Sequence, residues 1–323
     1  MPDITDIRAA AGRIKGHARM TPFLNNPLLD EKIGKRIFVK AECLQRTGSF
    51  KFRGAWSAIS NLDPEVRKQG VIAFSSGNHA QGVAHAATLH GIPSVIVMPK
   101  DAPKIKIENT RKLGAEVVLY DRNDESREVF ANEIMKTRTL TLIKPFDTPD
   151  VMAGQGTSGL EIAAQASEAG IDEAEVNVCC GGGGLTAGIA LALEADAPRM
   201  LVRPAEPEGF DDVARSLETG ELHVNNHATG SIQDAILTPS AGELTWPVIH
   251  RLCGPGHVVS DDETLRAMAL AFHYLKIVVE PGGAAALAAT FFRPSDSETL
   301  IAVATGGNVD AELFQKALSR FEP

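Results

Sequence analysis

Four cysteines occur in 323 residues, Cys43, Cys179, Cys180 and Cys253, and no two are spaced as Cys-x-x-Cys. Neither a disulfide framework nor a thiolate zinc site is indicated, and reduced, buried thiols are expected. Clusters of basic residues are missing as well, since 32 Lys and Arg stand against 41 Asp and Glu for a formal charge of −9. No nucleic acid and no anionic membrane is therefore expected as a partner. The longest run without Asp, Glu, Lys or Arg, Gln69 to Pro99, holds Ser75, Ser76, Asn78, His79 and Pro93, which rules it out as a membrane span. The opening residues MPDITDIRAA alternate polar and apolar and lack the basic-then-apolar layout of a signal peptide, so a cytoplasmic location is expected. Repeats and low-complexity tracts are absent, and the balance of 44% hydrophobic with 23% charged residues is that of a globular protein. The length suits two domains.

What the chain does contain is a series of short apolar runs bounded by Gly, Pro or polar turns. Arg36–Glu42, Val71–Ser75, Ser94–Met98, Glu116–Tyr120, Leu140–Lys144, Val176–Cys180, Met200–Ala205, His257–Ser260 and Leu300–Ala304 read as buried strands. Helical periodicity lies between them, among other places over Gly54–Leu62, Asn78–His90, Ile105–Leu113, Asp124–Lys136, Gly156–Ala169, Thr186–Ala195, Thr264–Leu275 and Ala311–Ser319. Such alternation predicts an α/β fold of open, mostly parallel twisted sheets with helices on both faces. Four strand-and-helix units between residues 65 and 147 predict a small domain, with 1–64 and 148–323 completing a larger one. Ligands of such folds bind beyond the carboxyl ends of the strands.

Four loops at those ends carry polar or glycine-rich sequence. Lys51 lies between Phe50 and Phe52, where desolvation of its ammonium would lower its pKa and make it a nucleophile toward a carbonyl. In isolation it reads first as a surface lysine opening a helix, and Lys51 alone decides nothing. Ser75-Ser76-Gly77-Asn78-His79 follows a strand and starts a helix, whose free amides suit a carboxylate, beyond what a simple N-cap needs. Gly181-Gly182-Gly183-Gly184 offers bare amides to a phosphate. Ala304-Thr305-Gly306-Gly307-Asn308 adds a neutral hydroxyl. A rival shares the third loop: Gly182, Gly184 and Ala187 satisfy G-x-G-x-x-A with Glu206 after the next strand, as in NAD-dependent oxidoreductases. An amine, a carboxylate site and one phosphate cradle together suit pyridoxal phosphate (PLP) better than a hydride cofactor.

SFKFRGA, SSGNHAQG, GGGGL and TGGN, in this order and at these separations, resemble fold-type II PLP enzymes, specifically the serine/threonine dehydratase and serine racemase family. The resemblance runs from Thr21-Pro22 through AGQGT at 153–157 and EPGGA at 280–284 to Asp310. It implies a two-domain fold with a small mobile domain, and a covalent bond between Lys51 and the cofactor aldehyde, after which the same amine moves the α-proton. Phe50 would lie against the cofactor ring, Asn78 would bond its phenolic oxygen, Gly181, Gly182, Gly183 and Gly184 would hold the phosphate, and Thr305 would sit at the pyridine nitrogen. A neutral hydroxyl there favours β-elimination over a long-lived carbanion. The substrate carboxylate would fall to Ser76, Asn78 and His79.

Metal-dependent members of the family imply a further site at Glu206, the carbonyl of Phe210, and Asp212, whose oxygen ligands suit Mg²⁺, or else Ca²⁺ or Mn²⁺. An acid-rich helix N-terminus explains the same residues. Ser76 stands where many threonine dehydratases have alanine, while serine racemases and 3-hydroxyaspartate dehydratases carry serine, which implies a second catalytic residue able to exchange a proton on the face opposite Lys51. Arg127 matches an arginine near the distal end of dicarboxylate ligands, or else pairs with Asp124 on a solvated face. Phe146 replaces a polar residue of the racemases. The resemblance thus implies dehydration of a β-hydroxy amino acid, with 3-hydroxyaspartate preferred over serine and threonine, and racemisation of serine or aspartate as the alternative. A homodimer is expected, and feedback through a C-terminal regulatory module is not.

Overall fold

The computed structural model describes residues 1–102, 104–121 and 127–321, with side chains throughout except at 127 and 128. Its described strands are β1 (Phe23–Leu24), β2 (Arg36–Lys40), β3 (Val71–Phe74), β4 (Ser94–Pro99), β5 (Glu116–Tyr120), β6 (Thr141–Leu142), β7 (Ala174–Cys179), β8 (Met200–Pro207), β9 (His257–Val259) and β10 (Thr299–Val303). They form two sheets, one of six strands in the order β1-β2-β10-β7-β8-β9 and one of four in the order β5-β4-β3-β6. All neighbours pair parallel except β1, which runs antiparallel to β2 at an edge.

Both faces of each sheet are covered, and the strands show it residue by residue. In β10, Leu300 and Ala302 enter one core cluster while Ile301 and Val303 enter another. Val71 and Ala73 of β3 likewise face one cluster, with Ile72 facing the other. Side chains alternate across a strand, so strands buried on both faces such as β3 and β10 are apolar at nearly every position. β7 departs from this with buried Glu175 and Asn177, which are hydrogen-bonded to Arg203 and Thr290 respectively.

Small residues bring helices close beneath the six-stranded sheet. A Cβ on Gly156 would come within 2.8 Å of the Gly188 carbonyl, and one on Gly188 within 2.6 Å of the Met152 carbonyl. The helices Pro149–Glu168 and Gly184–Asp196 therefore touch backbone to backbone. This contact fixes where the second helix, and the glycine loop before it, begins.

Several boundaries differ from the sequence reading. The helix assigned from Gly54 starts at Lys51, and the helix assigned from Gly156 starts at Pro149, where a proline at the first position suits the free amides of a helix start. The strand read at Leu140–Lys144 narrows to Thr141–Leu142. Asp261–Leu270 begins three residues before the expected Thr264 because Ser260 and Glu263 form a reciprocal capping box. Residues 122–126, the start of the helix expected over Asp124–Lys136, lie outside the described residues, and its described part is Arg127–Thr137.

Candidate active site

The strand order makes neighbours of segments far apart in sequence. Because β10 pairs with both β2 and β7, the loops that leave these three strands meet at one end of the sheet. Ser49 forms a bridge with Gly306, the Phe50 amide donates to the Thr305 carbonyl at 3.1 Å, and the Gly307 amide donates to the Gly48 carbonyl at 2.9 Å. Lys51 is thereby anchored beside Thr305 through its own backbone. The loop leaving β3 arrives from the other sheet, and together these segments enclose a cavity of about 260 Å³.

Phe50, Lys51, Ser75, Ser76, Asn78, His79, Gly181, Gly182, Gly183, Gly184 and Thr305 all line this cavity. The residues expected to act together on cofactor and substrate are thus brought together, Arg127 apart, whose side chain lies outside the described residues. Lys51 Nζ sits 5.1 Å from the centre of the Phe50 ring and donates to the Pro145 carbonyl at 2.8 Å. Burial away from water lowers its pKa from 10.5 to about 8, because the charged ammonium loses hydration that one carbonyl does not replace.

The glycine loop is built to leave its amides free. Gly183 has φ +84° and directly precedes the helix Gly184–Asp196. The Gly182 carbonyl accepts from Thr245 Oγ1 at 2.7 Å and from the Gly242 amide at 3.2 Å, which turns the peptide outward. Among the described residues, none of the four amides from Gly181 to Gly184 is spent on a protein acceptor. Four amides at the positive end of a helix are a cradle for one phosphate group, and with an amine in the same cavity the residues fit PLP. Side chains are excluded there on steric grounds, since a Cβ on Gly182 would run into the Phe146 ring.

His79 Nε2 lies 2.8 Å from the Ile143 carbonyl, and burial followed by the nearby Lys51 charge pushes its pKa down to about 3. It is therefore a neutral ring, not a cationic carboxylate binder. The amide of Asn78 is engaged on both sides: Nδ2 donates to Glu280 Oε1 at 2.5 Å, and Oδ1 accepts from Asn308 Nδ2 at 2.7 Å. Glu280, Cys179, Pro145, Asp234 and Thr238 also line the cavity and were not singled out from sequence. The signal for Glu280 was available: a Glu immediately before Pro-Gly-Gly at a helix start. It is the N-cap of the helix Pro281–Phe292, yet its side chain caps no amide and turns to Asn78 instead.

Glu206, Phe210 and Asp212 lie outside the cavity lining. Glu206 is fully buried and accepts from the amides of Val213 at 3.0 Å and Ala214 at 2.7 Å, in the first turn of the helix Asp212–Thr219. Asp212 accepts from Asn225 Nδ2 at 2.6 Å and from the Ala241 amide at 2.9 Å. Burial raises Glu206 well above the usual carboxylate range, with Asp212 adding repulsion, and burial raises Asp212 to about 6. Among the described residues, no three His, Cys, Asp or Glu side chains gather around one point. The NAD reading needs Glu206 at a ribose, and a buried carboxylate spent on helix amides cannot serve it.

Lysine, phosphate cradle and strand-end cavity define a PLP enzyme of the two-sheet α/β type. A family model described as pyridoxal-phosphate dependent enzyme matches residues 14–306, and the chain belongs to that family. An L-threo-3-hydroxyaspartate ammonia-lyase from a Pseudomonas species is 42% identical over 316 residues, covering 97% of each chain. Among solved structures, a threonine deaminase from T.th. has TM-score 0.90 at 42% identity and covers 100% of both chains. Maize serine racemase has TM-score 0.91 at 37% identity, covering 99% of this chain and 97% of that one. No helix among the described residues is long and apolar enough to cross a membrane.

Proposed function

We propose that this enzyme eliminates water from a β-hydroxy amino acid and releases a 2-keto acid and ammonia. Its preferred substrate is 3-hydroxyaspartate, giving oxaloacetate, with serine and threonine giving pyruvate and 2-oxobutanoate as lesser ones. The observation that carries this reading is the buried Lys51 amine, with its pKa near 8, in one cavity with the free amides of Gly181–Gly184 and the Ser76 hydroxyl. The 42% identity to a 3-hydroxyaspartate ammonia-lyase supports the substrate.

When bound, PLP supplies an aldehyde that captures a primary amine and a conjugated ring that draws electrons from the neighbouring carbon. The chain does the rest. Lys51 holds the cofactor and then, as a free amine, takes the proton from the substrate's α-carbon, a role its lowered pKa fits at neutral pH. Phe50 walls the site and keeps water from the amine. Gly181–Gly184 would anchor the phosphate, Thr305 would offer a neutral hydroxyl to the ring nitrogen, and Asn78 would bond the ring oxygen. Ser76, with the free amides of Asn78 and His79 at their helix start, takes the α-carboxylate, and Arg127 takes the second carboxylate of 3-hydroxyaspartate.

Residues 65–147 act as a small domain that closes on a large domain made of 1–64 and 148–323. Glu206, the Phe210 carbonyl and Asp212 hold Mg²⁺, Ca²⁺ or Mn²⁺; two adjacent buried carboxylates with raised pKa values are a donor set that a hard cation would relieve. The working form is a cytoplasmic homodimer.

The test is production of keto acid from 3-hydroxyaspartate, threonine and serine, with Arg127→Ala alongside wild type. Arg127→Ala should lose turnover of 3-hydroxyaspartate far more than of threonine; equal losses would remove the distal carboxylate contact. Ser76 in the cavity and the serine racemase relatives support racemisation as a second reading. Chiral analysis of amino acid left after partial reaction separates the two.

A further inference from the structure

An Asn side chain has one acceptor oxygen and two N–H donors, so fixing its orientation takes partners on both ends. Asn78 has them. Asn308 Nδ2 donates to the Thr47 carbonyl at 2.9 Å and to Asn78 Oδ1 at 2.7 Å, which commits the amide group of Asn308 and presents only a donor to Asn78. On the opposite end Asn78 Nδ2 donates to Glu280 Oε1 at 2.5 Å. That use of one N–H leaves the second N–H of Asn78, a cavity-lining residue, for a ligand.

Glu280 is an expensive way to hold an amide. It is 6% exposed, caps no helix amide, and stands where a buried carboxylate costs more than an apolar residue would. Space is reserved for it, since a Cβ on Gly306 would overlap its Oε1. The elements it joins differ too: Asn78 starts the helix after β3 of the four-stranded sheet, while Glu280 and Asn308 flank β10 of the six-stranded one.

We propose that Glu280 is a positioning residue for the cofactor, which with Asn308 fixes the Asn78 carboxamide so that its remaining N–H meets the oxygen on the PLP ring. This rests on the reading that Asn78 faces that oxygen. Glu280 acts only through Asn78, so the two should behave as one unit.

The experiment titrates PLP into the full-length cofactor-free protein and records the dissociation constant together with the ratio of violet to near-ultraviolet absorbance. Asn78→Ala, Glu280→Ala, Glu280→Asp, Glu280→Gln and the double Ala variant are compared. Glu280→Ala should weaken PLP on the order of tenfold and lower the violet fraction, as Asn78→Ala does. Glu280→Asp, one methylene short of Asn78, should match it and serves if Glu280→Ala does not fold. Glu280→Gln keeps an acceptor at the same place and should remain close to wild type. The double variant should be no worse than Asn78→Ala alone. Additive losses, a Gln variant as poor as Ala, or Glu280 variants that leave both readouts unchanged while Asn78→Ala shifts them would each overturn the role of Glu280. If Asn78→Ala itself leaves both unchanged, the placement of Asn78 at the ring fails, and the proposal with it.

Discussion

Lys51 Nζ donates to the Pro145 carbonyl at 2.8 Å, so the amine that opens the helix Lys51–Asn61 is held by the segment leaving β6. The next residue along that segment, Phe146, lays its ring over Gly182. One short stretch therefore touches both the amine and the phosphate cradle.

The pH behaviour of Lys51 follows from its burial. With the folded pKa near 8 against 10.5 for an ordinary lysine, about a tenth of the amine is neutral at pH 7. Capture of PLP by the cofactor-free protein, followed by stopped-flow absorbance, should accelerate with pH around a midpoint near 8; a midpoint near 10 would contradict a desolvated amine. Stability carries the same sign. The folded state holds the proton less tightly than the unfolded one, so protonation costs stability in full below pH 8, and the cost fades between 8 and 10.5. Lys51→Met should accordingly stabilise the cofactor-free protein by about 3 kcal/mol at pH 7 and little at pH 11, by urea unfolding.

Substitution in the glycine loop should separate steric from conformational effects. The three atoms nearest a Cβ on Gly182 all belong to the Phe146 ring, whereas Gly183 has φ +84° and a Cβ there would also lie 2.6 Å from Ile249 Cδ1. Gly182→Ala should weaken PLP binding more than tenfold and be partly rescued by Phe146→Ala. Gly183→Ala should instead cost about 1–3 kcal/mol of stability, without rescue. Rescue of Gly183→Ala by the same change would refute this division.

The sheets and the four loops were legible in sequence because both depend on local signals: apolar runs for strands buried on two faces, and glycine or Ser-Asn clusters at their ends. What escaped depends on tertiary context. Seven of the twelve residues of the helix Pro281–Phe292 are Ala or Gly and the others are apolar except Thr290, so it shows no amphipathic stripe, and it is buried on every side. β1 has two residues and exists only as an edge partner of β2. Glu280 and Pro145 join the site through pairings that spacing along the chain does not reveal.

Arg53 illustrates a charge whose value lies in what it would leave behind. It is fully buried and bonds Glu42 through Nε and NH2, both at 2.8 Å, and Glu161 through NH1 at 2.7 Å, in the same helical turn as Lys51. Burial opposes every charge here, yet the mutual attraction holds Glu42 below the usual carboxylate range. Arg53→Ala would strand the buried Glu42 and should cost about 3–5 kcal/mol in urea unfolding. Arg53→Lys should not restore it, because an ammonium cannot bridge two carboxylates with the fork of a guanidinium. A loss below about 1 kcal/mol in either variant would show that the network is dispensable.

Glu206 and Asp212 give a test that needs no turnover. Asp212 Oδ1 accepts from Asn225 Nδ2, which also donates to the Thr238 carbonyl at 2.9 Å, while Asp212 Oδ2 accepts from the Ala241 amide at 2.9 Å. Thr238 lines the cavity, so whatever tightens Asp212 also tightens one wall of the active site. A cation that binds only the folded chain stabilises it by about 2.7 kcal/mol at a hundred times its dissociation constant. Millimolar Mg²⁺, Ca²⁺ or Mn²⁺ should therefore raise the melting midpoint by several degrees, a chelator should reverse this, and Asp212→Asn should abolish it. Should all three cations leave wild-type melting unchanged, the two carboxylates serve only as anchors for the helix Asp212–Thr219 and the loop at Ala241, and their raised pKa values are a cost of that anchoring alone.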